Sequence, residues 1–141
     1  MKKKHVALGA ALALVSAIAS AGLVQPAPVT VTLNADGSGL AGGDMVSARF
    51  APDAITMIGC GMRAVNDGAG GTYEWGFCQA TDAAGVQFTC FTEQPGLIHS
   101  MRATGDFSYL TFAWDANGEC TRVGFSTQSF YIPDLFAKPK K

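Results

Sequence analysis

Apolar and polar residues alternate in short runs along most of this chain, and no long stretch repeats at helical spacing. Val29-Thr30-Val31-Thr32-Leu33 alternates strictly and predicts a half-buried strand. The next stretch, NADGSGLAGGD from Asn34 to Asp44, reads as a Gly-rich loop. Short strands are expected over 46–50 (stopped by Pro52), 55–65, 72–81 and 86–92. A turn is expected over Asn66 to Gly71. The tetrads DAAG after Thr81 and DANG after Trp114 are the clearest hairpin signals, since Asp supplies a side-chain acceptor and Gly a positive φ. Leu97, Ile98 and Met101 follow Pro95 at helical spacing, which predicts at most one short helix near 95–103.

The last hairpin is expected to join strands over 107–114 and 120–131. A two-residue type I′ turn at Asn117-Gly118 would pair Phe112 with Val123 and Leu110 with Phe125, keeping these side chains and Trp114 on one buried face. The fold class expected is all-β: a small antiparallel β-sandwich or open barrel of about 7–8 strands.

The first 21 residues read differently. Lys2, Lys3 and Lys4 precede an apolar run from Val6 to Ile18, followed by Ala19-Ser20-Ala21. This three-part pattern predicts a signal peptide over 1–21, with Gly22 as the first residue of the exported chain. The run is short of the ~20 apolar residues that span a bilayer. No membrane span is expected after its removal, and a secreted or periplasmic location follows. A single β domain is expected over 22–133, with a flexible basic tail over 134–141. Cleavage removes three lysines and no acid, so the formal net charge moves from −1 to −4. Three of the seven remaining positive residues lie in the last four positions, so the body is acidic and nucleic acid is not an expected partner.

Cys60, Cys78, Cys90 and Cys120 all lie beyond the signal, and an even count in an exported chain predicts two disulfides. Their wide spacing lacks the close ligand pairs of a zinc site. Hairpins centred on Ala69 and closed around Ala83-Ala84-Gly85 would set Cys78 opposite both Cys60 and Cys90, and Cys78 can bond only one. The pairing preferred from sequence is Cys78–Cys90 with Cys60–Cys120.

Catalytic chemistry is thinly supplied. His99 is the only histidine beyond the signal; with Ser100 and Asp106 it offers the types for a hydrolase triad, but without a strained nucleophile turn. Glu74 and Glu93 are the acids placed in or beside strands, where a glycosidase pair would need them. Most other acids open turns, where their oxygens cap backbone N–H groups. No cofactor is expected. Calcium is the one metal that the oxygen-rich loops around Asp36 and Asp44, Asn66 and Asp67, and Asp115 to Glu119 suggest, though none completes a calcium-binding motif.

Aromatic residues remain. Tyr73, Trp75 and Phe77 share one face of a strand, and Tyr109 and Trp114 are expected nearby in the last hairpin. Tyr73, Trp75, Tyr109 and Trp114 are therefore the candidate ligand-binding residues, unless they pack into the core. The expected function is a non-enzymatic binding or interaction module whose partner is a protein or carbohydrate surface, or another copy of itself. A self-assembling structural subunit and a small hydrolase are the alternatives.

Overall fold

The computed structural model describes residues 22–132. The expected signal segment and basic tail lie outside the described residues. Seven strands form two antiparallel sheets. One sheet has the order β1 (Thr30–Leu33), β2 (Gly39–Asp44), β6 (Tyr109–Trp114), β7 (Cys120–Ser126). The other has the order β3 (Met57–Asn66), β4 (Thr72–Thr81), β5 (Gln87–Thr92).

The inner faces meet in one core. Ala41, Leu110, Phe112 and Trp114 come from the first sheet, and Ile58, Cys78, Ala80 and Cys90 from the second. Phe88 of β5 stacks on Trp114 of β6, with ring centroids 4.2 Å apart and planes within 6°. The indole N–H of Trp114 donates to Gly37 O at 3.1 Å, so burying the ring leaves no orphan donor. Helix α2 (Pro95–Arg102) starts on a proline suited to the first helical turn and packs Ile98 and Met101 inward, where Gly76 leaves room for the Met101 sulfur.

Two expectations fail between Asn34 and Phe50. The presumed loop contains β2, which is an interior strand rather than a connection. Its glycines are required by close approach: the Trp114 ring lies over Gly39, and a Cβ at Gly43 would sit 2.7 Å from Val29 Cα. Strands built of glycine have no side chains to alternate, so periodicity cannot reveal them. The strand expected over 46–50 is instead the one-turn helix α1 (Met45–Arg49). Buried Asp44 caps it, accepting from Ser47 N at 2.6 Å, and also accepts from Ala27 N at 2.5 Å.

The last hairpin reaches its expected register by an unexpected route. Leu110 pairs with Phe125 and Phe112 with Val123. The turn, however, is a type I turn followed by Gly118 at φ 80°, closed by Asp115 N to Glu119 O at 3.0 Å. Asn117 does not adopt positive φ, so the turn is not type I′. The loop is thus one residue longer than expected, and an irregularity between Ala113 and Trp114, where Trp114 pairs with Cys120, absorbs the extra residue.

All four cysteines are oxidised, but in the other pairing: Cys60–Cys78 and Cys90–Cys120. Both expected registers are present, with Cys78 opposite Cys60 and opposite Cys90. The choice is made by tertiary structure. Phe91 of β5 bridges to Glu119, the residue just before β7, and Phe91 N donates to Gly118 O. This seam brings Cys120 to Cys90, with 5.1 Å between their Cα atoms, and leaves Cys78 to Cys60.

Candidate functional site

Alternation along β4 sends Gly76, Cys78 and Ala80 into the core and Tyr73, Trp75, Phe77 and Gln79 to the other side. The first sheet packs on the inner side, and strand register sets the neighbours on the outer one. Phe91 of β5 stands opposite Phe77, and Arg63 of β3 opposite Trp75. Trp75 lies at the centre of an aromatic cluster, 5.7 Å from Phe77 and 5.9 Å from Phe91, with tilted planes. Tyr73 and Phe91 are 48% and 52% exposed, while Trp75 and Phe77 are half-buried by their neighbours.

Polar groups frame the rings. The Arg63 guanidinium lies 5.1 Å from the Phe77 ring centre, a cation–π arrangement, and donates to Met62 O at 3.0 Å. The Tyr73 hydroxyl donates to Glu93. That hydrogen bond, then desolvation and the nearby carboxylate charge, raise the Tyr73 pKa above its ordinary 10.0. Two glycines of β3 keep the surface low. The Phe77 ring edge lies against Gly61, and a Cβ at Gly59 would meet nothing within 4 Å.

Only part of the expected aromatic set comes together here. Tyr73 and Trp75 belong to the face. Trp114 is 2% exposed and is a core residue. Tyr109 lies on the other sheet, where its hydroxyl approaches Gly42 and its ring stacks on Tyr131 at 5.7 Å. The expected proximity of Tyr109 and Trp114 to Tyr73 and Trp75 therefore fails, because β6 and β4 are strands of different sheets. Phe91 and Arg63 were not singled out from sequence. The registers inferred from the cysteines would have located both, since Cys78 opposite Cys90 also sets Phe77 opposite Phe91.

The catalytic candidates do not converge. Glu74 pairs with Arg102 of α2, whereas Glu93 accepts from Tyr73 on the outer side. His99 is exposed on α2, and the Ser100 hydroxyl donates back to Gly96 O at 3.1 Å. Among the described residues no group of three or more His, Cys, Asp or Glu could hold a metal ion. The loop aspartates serve their own turns: Asp36 accepts from Ser38, Asp67 from Ala69 and Gly71, and Asp115 from Asn117 and Glu119. Among the described residues no helix is long and apolar enough to cross a membrane.

An apolar cleft of about 440 Å³ lies beside α1, lined by Pro28, Val29, Val46, Phe50 and Pro52, with Phe50 largely exposed. Its polar neighbours are already engaged, Ser47 with Asp44 and Asp53 with Ile55 and Thr56. No protein-family model matches the sequence, and comparison with curated proteins and with solved structures gave no significant match.

Proposed function

We propose that the chain is an exported, non-enzymatic binding module whose recognition surface is the outer face of β3–β4–β5. The observation that carries this reading is the cluster of Trp75, Phe77 and Phe91 on the outer side of a sheet whose other side already supplies the core. Contiguous exposed aromatic area is costly to leave in water and marks recognition surfaces, where Trp, Tyr and Arg contribute most. The two disulfides suit an oxidising compartment. A self-assembling subunit that donates its N-terminal arm is less well supported. Val29 and Val31 of that arm are buried, and Ala27 exchanges hydrogen bonds with Asp44.

The test is retention on envelope or wall material of the producing cell. The wild-type chain should sediment with that material, and Trp75→Ala, shown to be folded by a cooperative melt, should remain in the supernatant. Equal retention of the two proteins would reject the face as the recognition surface.

A further inference from the structure

We infer that the aromatic face takes a glycan chain bearing acidic groups, its sugar rings stacked on Trp75 and Phe91 and an acid group held by Arg63. This rests on the face being the recognition surface and adds the chemistry of the ligand.

Among the outward positions of β3, β4 and β5, Arg63 is the only charged residue. Glu93, just past β5, adds one negative charge at the edge of the face, where the Tyr73 hydroxyl donates to it. Among the described residues the one ion pair is Arg102–Glu74, so Arg63 has no carboxylate partner there. A guanidinium carries five N–H donors, and one of them is spent on Met62 O. The face therefore offers an exposed cation with N–H donors to spare, held beside rings by its contact with Phe77.

Shape then narrows the class. Protein partners usually anchor a side chain in a pocket at the centre of the interface. Here the clefts beside α1 and beside α2 are lined by other residues, and the centre of the face is a ring, Trp75, flanked by two more. A half-buried ring set among others forms a low apolar platform, which suits a flat ligand with an apolar face and a polar edge. A pyranose has both: C–H bonds for the rings, and hydroxyls for Gln79 and Arg63. Arg63 stands directly opposite Trp75 across β3 and β4, so one sugar unit can reach both. Gly59 extends this surface with bare backbone along which a chain can run.

The experiment is calorimetric titration of the exported chain with polygalacturonate, and with cellohexaose as the neutral probe. Polygalacturonate should bind about tenfold more tightly per site at about 0.15 M salt, where the acidic remainder of the domain is screened beyond about 8 Å, and the advantage should shrink at roughly 0.5 M salt. Arg63→Gln should erase the difference while leaving cellohexaose binding in place. Gly59→Leu, which adds bulk where nothing lies within 4 Å, should weaken both without lowering the melting temperature. Equal affinity for the two probes, or binding indifferent to Arg63→Gln, would overturn the inference. Loss of envelope retention after protease treatment of that material would also overturn it, in favour of a protein partner. If neither probe binds but Trp75→Ala still abolishes retention, the acidic-glycan inference fails and the face reading survives. If retention also survives Trp75→Ala, both fail.

Discussion

At the scale of single residues, the glycines separate by what surrounds them. Gly39 lies under the Trp114 ring and against Thr32 O, whereas Gly59 faces open space. Gly39→Ala should cost at least about 1–3 kcal/mol, as overpacking does, because one of the clashing groups is backbone. Gly59→Ala should be neutral or mildly stabilising, since it removes freedom from the unfolded chain at no steric cost. Urea unfolding of the two variants checks the contrast, and equal losses would contradict it. The turn aspartates add a pH dependence. Hydrogen bonds from Ser38, from Thr56 and Ile55, and from Glu119 hold the carboxyls of Asp36, Asp53 and Asp115 below their ordinary 3.8. In the unfolded chain these groups take up protons first as the pH falls. Their contribution is therefore complete above that ordinary value and is lost as pH drops through the lower folded values. Melting temperature should be flat near neutrality and fall below about pH 4; a rise on acidification would contradict this.

At the scale of elements, the parts legible in the sequence were those with side chains to alternate. β4 and the pairing of Phe112 with Val123 follow from period-two patterns and Asp–Gly turns. β2 was hidden because three of its six residues are glycine, and its strand character resides in what packs onto it. α1 is too short for periodicity, and its only sequence signal was Asp44 three residues ahead of Ser47. In the final hairpin the turn type was wrong and the register right, because a longer loop and an irregularity offset each other. The buried face decides that outcome: a one-residue slip would expose Phe112. Phe112 is fully buried, so Phe112→Ala should cost about 3–5 kcal/mol in equilibrium unfolding. Phe125→Ala, on the same face but 38% exposed at the edge strand, should cost well under half as much.

At the scale of the molecule, the sandwich class was legible, yet which strand joined which sheet was not. That assignment depends on the seam where β5 meets β7, and no local pattern encodes it. It also decided the cysteine pairing and separated Trp114 from Trp75. The two disulfides span 18 and 30 residues, a difference of only about 0.5 kcal/mol on the chain-entropy model. Their losses should instead differ in location. Replacing Cys60 and Cys78 by Ser should leave amide protection in β5 and β7 largely intact, since the β3–β4 ladder persists. Replacing Cys90 and Cys120 should lower protection at the β5–β7 seam, because of the two disulfides that one alone joins the sheets. Hydrogen exchange distinguishes the two, and identical protection maps would contradict the assignment. One further contact concerns the ends of the domain. Gln25 N donates to Phe130 O at 3.2 Å, so the two ends of the described residues lie side by side. A short linker there would turn the domain into a ring, which could be reopened at the Gly68–Gly70 turn while Cys60–Cys78 holds the parted strands side by side. Such a permutant should fold, and the same geometry makes the domain suitable for insertion into a loop of another protein, attached through a single stem.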